Sequence, residues 1–157
     1  MTGRRILIAI ICGLILTSTS LVLGIDSATP EKLDLDGVSI AVYVGGESSA
    51  SSREALRQMF LWMNATVTVM SASSIKTGAL DDYDILVVPG GNAGDYNNDL
   101  GHAGREEIGI FVEDGGAFFG VCAGAYFACD WIIWEERSIE YHLNLFNGCG
   151  IGAIDDI

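Results

Sequence analysis

The chain has 157 residues, half of them hydrophobic, which is enough to bury one core and suggests a single domain. Its 21 acidic and 8 basic residues give a formal charge of −13, a balance that repels nucleic acid and anionic membrane surfaces and argues against both as partners. No paired His or Cys has metal-ligand spacing, no Asp run matches a calcium loop, and no dinucleotide or phosphate-loop fingerprint occurs; no metal or cofactor is implied.

The chain opens with Arg4 and Arg5, followed by an uncharged run from Ile6 to Gly24. Ile6–Leu16 suits the apolar region of a signal peptide, and the small residues Val22 and Gly24 suit cleavage after Gly24. The same run is long enough to span a bilayer uncut, so residues 1–24 read as a signal peptide or a membrane anchor. Either reading exports the domain and confines membrane contact to this segment. All the acidic residues lie beyond Gly24, where they serve solubility. Residues 25–36, polar and containing Pro30, read as a linker, and residues 37–157 as the domain.

Within the domain, Val38–Tyr43 is expected to be a strand that ends at a turn carrying Gly45 and Gly46. Ser51 or Ser52 would cap a helix over Arg53–Met63, where Leu56, Met59, Phe60 and Met63 share one face. Ala65–Met70 is a second strand, Ala72–Leu80 a short helix or turn, and Asp84–Val88 a third strand closed by Pro89-Gly90-Gly91. The Gly-, Asn- and Asp-rich stretch Asn92–Gly101 reads as a loop long enough to lie over a pocket; a solvated loop is the preferred reading, and Asp95 or Tyr96 contacting a substrate the alternative. Arg105–Asp114 is helical, with Ile108, Phe111 and Val112 facing inward. Strands alternating with helices predict a parallel α/β sheet, a flavodoxin-like three-layer sandwich.

The centre of the chain is Ala117–Phe127. An apolar strand stops at Cys122, held between Gly120 and Gly124, and helix-compatible residues follow. This is the spacing of a nucleophile elbow, in which close passage of strand and helix leaves no room for flanking side chains. The alternative is that Cys122 is one more buried small residue. In a parallel sheet the Gly90-Gly91 turn would end beside Cys122, where the N–H groups of Gly90, Gly91 and Ala123 would form an oxyanion hole.

Val-Val-Pro-Gly-Gly (87–91) followed by Gly-Val-Cys-Ala-Gly-Ala-Tyr-Phe (120–127) resembles the class I glutamine amidotransferase-like superfamily, and within it the biotin-protein ligase N-terminal domain family. The resemblance runs from about Val38 to the end of the chain. It implies a cysteine nucleophile acting on an amide or acyl carbonyl, and no biotin ligation, which belongs to another domain. The superfamily places its triad histidine and glutamate well downstream of the nucleophile, so the resemblance also implies a domain cut short at its C-terminus, with an exposed sheet edge.

A cysteine nucleophile needs a base. His102, at a helix start, reads as a surface or cap residue. His142 and Glu140 fall on one face of an expected strand over Ile139–Phe146, which permits a base and its orienter without showing that they meet Cys122. Trp131 and Trp134, three apart, could line a ligand groove or flank the pocket, with packing at the sheet end the preferred reading. In an oxidising compartment a Cys129–Cys149 disulfide would leave Cys122 free; all three staying reduced is the alternative. Three functions remain open at this point: a hydrolase or amidotransferase-like protein on a small-molecule or peptide substrate, a non-catalytic extracytoplasmic binding domain that keeps the elbow structurally, and a redox-sensing thiol. Self-association is compatible with each.

Overall fold

The structure, a computed structural model, describes residues 32–152. The expected leader or anchor over residues 1–24 and most of the linker lie outside the described residues. Among those residues no helix is long and apolar enough to cross a membrane.

Four parallel strands form the main sheet: β1 (Ser39–Val44), β2 (Thr66–Ser71), β3 (Ile85–Val88) and β4 (Ala117–Gly120), in the order β2-β1-β3-β4. Alternation along the central strands sends side chains to two separate cores. Ala41, Tyr43, Leu86 and Val88 point to one face, where they meet α2 (Ala72–Ile75), the long helix α3 (Ala93–Glu113) and α4 (Ala123–Ala128). Ile40, Val42 and Val87 point to the other, against Leu56 and Phe60 of α1 (Ala50–Trp62). These central strands are continuous apolar runs because both faces are covered. Each fully buried Leu, Val or Phe contributes about 1.5–3 kcal/mol of transfer free energy. The result is the expected three-layer sandwich.

The N-cap of α1 is Ser49, whose side chain accepts from the Ser52 N–H, rather than Ser51 or Ser52. The larger correction concerns Asn92–Gly101, which is helix and not loop. Asn92 caps α3 by accepting from the N–H groups of Gly94 and Asp95 at 2.9 and 3.4 Å. Tyr96 and Leu100 are fully buried in this first segment, and their burial outweighs the weak helix propensity of the Asn and Gly residues around them. Gly101, at φ 58° and ψ −164°, kinks the helix between its two halves.

After α4 the chain builds a second sheet, of order β6-β5-β7, from β5 (Cys129–Trp134), β6 (Arg137–Ile139) and β7 (Phe146–Gly152). β5 and β6 form an antiparallel hairpin through Glu135 and Glu136, both at positive φ, while β5 and β7 run parallel. The expected strand over Ile139–Phe146 is therefore not formed. β6 stops at Ile139, and the segment up to β7 is a loop in which His142 and Asn144 adopt positive φ.

At the sheet end remote from Cys122, the Asp84 carboxylate accepts hydrogen bonds from the Ser39 N–H at 2.7 Å and the Ser39 hydroxyl at 2.8 Å, tying the start of β1 to the start of β3. These bonds hold the Asp84 carboxyl below its ordinary range. A depressed carboxyl stabilises the fold above its unfolded pKa of about 3.9, and that contribution is lost as pH falls through the folded value. Asp84→Asn is thus expected to lose less thermal stability than the parent chain between pH 7 and pH 3. Circular dichroism melts at the two pH values check this, and equal losses would show that the pair contributes nothing.

Candidate functional site

β3 and β4 end level with each other, with Val88 opposite Gly120, so the turns that follow them emerge at one sheet edge. The Val121 N–H donates to the Val88 carbonyl at 3.0 Å, and the next residue turns sharply. Cys122 sits at φ 53° and ψ −112°, a region that costs a non-glycine residue about 1–3 kcal/mol. Its carbonyl accepts from the N–H groups of Ala125 and Tyr126 at 2.9 and 3.1 Å, which starts α4, and its thiol is exposed. A Cβ on Gly120 would lie 2.6 Å from the Gly124 carbonyl carbon and oxygen. One on Gly124 would collide with the Val88 carbonyl oxygen and lie 2.8 Å from its carbon. β3, β4 and α4 therefore meet backbone to backbone, and both elbow glycines are steric requirements.

The second turn is held by α1. Gly90 is clamped on both sides: its N–H donates to Ser52 Oγ at 2.9 Å and its carbonyl accepts from the Ser49 N–H at 2.8 Å. The Gly90 N–H, expected in the oxyanion hole, is thus already committed to Ser52. The Gly91 and Ala123 N–H groups donate to no protein acceptor among the described residues, and both residues line one cavity with Cys122. Gly91 has no space for a side chain, since a Cβ would meet the Tyr96 hydroxyl and lie 2.6 Å from the Glu47 carbonyl oxygen. Ser52 was missed as a support for this turn. Within Ser48–Ser52 each serine does a different job, and nothing in the local pattern separates them. Ser48, for example, is buried and accepts from Arg53 at 2.6 Å.

The cavity encloses ≈ 400 Å³. Gly91, Asn92, Ala93, Cys122 and Ala123, from the turns and helix starts at the sheet edge, form its floor. Its walls are Tyr126 of α4, Ile132 and Trp134 of β5, Ile139 of β6, and Tyr141 from the loop beyond. Tyr126 and Trp134 meet edge to face with ring centroids 5.9 Å apart. Of the two readings for Trp134, the structure selects the groove over packing at the sheet end: it is a cavity wall and keeps 41% of its surface exposed.

Other expected site residues lie elsewhere. Tyr141 and Leu143 are buried, so the alternation between them turns His142 outward. His142 Nδ1 faces Glu140 at 3.7 Å, both well exposed, and the histidine lines a different cleft with His102, Arg105 and Glu106. His102 pairs with Glu106 at 3.5 Å on the surface of α3. Tyr96 is fully buried, and its hydroxyl donates to the Pro89 carbonyl at 3.1 Å, so it does not reach into the cavity as a substrate contact. Burial, with the Cys122 sulfur next in effect, pushes the Tyr96 phenol up to about 12. Asp95, part-buried in the first turn of α3, is absent from the cavity lining.

Cys129 and Cys149 are free thiols here, not a disulfide. Each donates to a backbone carbonyl, Cys129 to Ala125 and Cys149 to Gly150. A register irregularity on β5 sets Cys149 opposite Trp131 and Cys129 opposite Phe146. Burial, then the neighbouring Cys149 and Asp130, pushes the Cys129 thiol up and makes it a poor competitor to Cys122 for electrophiles. Among the described residues no three His, Cys, Asp or Glu side chains gather as a metal site.

Residues 38–154 match the family model described as biotin-protein ligase, N terminal. An uncharacterized protein of Chlamydia muridarum (strain MoPn / Nigg) is 47% identical over 45 residues, which is 29% of this chain and 17% of that protein. A solved structure from Listeria monocytogenes EGD-e, described as a candidate peptidase E, superposes with a TM-score of 0.62 at 20% identity. That match covers 73% of this chain and 65% of the other, and at such identity the likeness is one of fold.

Proposed function

The chain belongs to the biotin-protein ligase N-terminal family, and from that premise we propose that it is a cysteine-dependent hydrolase or amidotransferase-like protein whose nucleophile is Cys122. The observation that carries this reading is the pairing of an exposed thiol in strained elbow geometry with two uncommitted N–H groups, those of Gly91 and Ala123, on the floor of one cavity. The Cys122 sulfur attacks a carbonyl carbon, and the two N–H groups receive the negative charge that develops on its oxygen. The carbon–leaving-group bond breaks with its electron pair going to the leaving group, and water then releases the acyl group as an acid and restores the thiol.

Among the described residues no histidine faces this cavity. An amine leaving group requires a proton from such a residue, whereas an aryl alcohol or a thiol departs as its anion. The chemistry best matched to these residues is acyl transfer from activated esters or thioesters. The uncharged run Ile6–Gly24 behind Arg4 and Arg5 supports an exported setting for it.

p-Nitrophenyl acetate tests the reading. The folded chain is expected to release nitrophenolate in a burst and to gain one acetyl mass on Cys122, with Cys122→Ala slower by at least about 100-fold. A parent chain no faster than Cys122→Ala would sink the catalytic proposal. That outcome would favour the second reading, a binding domain that keeps the elbow as architecture.

A further inference from the structure

The floor of the cavity carries polar backbone, the Cys122 sulfur and the Asn92 amide, but its walls are mostly apolar. Tyr126, Ile132, Trp134, Ile139 and Tyr141 contribute rings and branched aliphatic carbons, and no charged side chain lines the space. A free amino acid held here would bring an ammonium and a carboxylate against these walls with no countercharge, which costs several kcal/mol for each ion. An apolar group loses nothing by entry and covers the exposed face of Trp134. The volume of ≈ 400 Å³ lies toward the lower end of ligand cavities, which run from about 300 to 1,000 Å³, so the occupant is small. The edge-to-face corner of Tyr126 and Trp134 offers an aromatic ring two further surfaces at favourable geometry.

We infer that this cavity selects donors carrying a small, uncharged, apolar or aromatic acyl group, and rejects amino-acid-like and carboxylated ones. The inference rests on the acyl-transfer reading above and assigns the substrate class for the same site. In the step itself the Cys122 thiolate bonds to the acyl carbon, its proton having gone to solvent. The ester C–O bond breaks, and the aryl oxide leaves with the electron pair while the acyl chain lies between Trp134 and Tyr141. Trp134, Ile139 and Tyr141 are thereby specificity residues, and Cys122 remains the one that forms the bond.

The experiment compares p-nitrophenyl esters of acetic, 3-phenylpropanoic and glutaric acids, each rate divided by that of the same ester with free cysteine. Acylation of Cys122 is followed by nitrophenolate release and intact mass. The phenylpropanoyl ester is expected to exceed the acetyl ester by about tenfold or more, with the glutaryl ester slowest. Trp134→Ala should cut the phenylpropanoyl-to-acetyl ratio below about threefold. Ile139→Lys, which adds a cation on the same hairpin face beside Ile132, should raise the glutaryl-to-acetyl ratio; this gain is readable even if the Trp134 variant folds poorly. Three equal normalised rates on Cys122 would overturn the selectivity and leave the nucleophile reading standing. No acyl adduct from any ester, while iodoacetamide still alkylates Cys122 in the folded chain, would remove the nucleophile reading and the selectivity with it.

Discussion

Cys122→Gly is expected to be more stable than Cys122→Ala by about 1–2 kcal/mol, roughly 3–6 °C in melting temperature, although neither variant acylates. The ordinary effect of glycine is the reverse, since it has more backbone freedom to lose on folding, about 0.5–1 kcal/mol relative to alanine. The sign changes here because φ is 53° with ψ at −112°, where any Cβ is crowded by its own backbone. Neighbouring structure holds the residue in this state: the Val121 N–H bonds to Val88 on one side, and the Cys122 carbonyl starts α4 on the other. The gain should therefore appear as a higher unfolding temperature with an unchanged circular dichroism spectrum. Equal melting temperatures for the two variants would mean that the turn stores no strain.

Gly124→Ala should be far more damaging, with a loss of about 3 kcal/mol and a fall of about 10 °C. The added methyl meets the Val88 carbonyl oxygen, a backbone atom within the main sheet that has no rotamer to move into. Domains of this size have about 5–15 kcal/mol in hand, so the variant is expected to stay folded with a sharply reduced margin. Gly109→Ala is the control. Its Cβ would have no atom within 4 Å, it lies in the second half of α3, and the change should stabilise the chain by about 0.5–1 kcal/mol. Opposite signs for one substitution type at two glycines isolate the steric term. A mild effect at Gly124 would mean that β3 and α4 can separate, and would count against the elbow as described.

The parallel sheet was legible because its demands are local. Buried strands such as Ile85–Val88 must be continuously apolar, and the Leu56 and Phe60 spacing suits only a helix packed on one side. The elbow was legible for the same reason, since Gly120 and Gly124 answer to contacts within a few residues of Cys122. Three features were not. The first half of α3 carries Asn, Gly and Asp, which favour turns, and only the tertiary burial of Tyr96 and Leu100 makes it helical. The β5–β6 hairpin turns on Glu135 and Glu136, neither of which announces a positive-φ turn as Asn-Gly would. β7 contains three glycines in seven residues and reads as loop until β5 pairs with it. Those last two elements decide where His142 goes and what walls the cavity, so the nucleophile was readable while its surroundings were not.

Floor and walls of the cavity come from different sheets. The parallel sheet supplies Cys122 and its two N–H groups, whose positions tolerate almost no substitution. The hairpin supplies Ile132, Trp134 and Ile139, which line the same cavity. Exchanging those three side chains alters what the site admits without touching the backbone that performs the attack. Selection can thus retune preference while chemistry stays constant, and relatives sharing the Gly-Val-Cys-Ala-Gly wording are free to diverge in substrate through a dozen residues after α4.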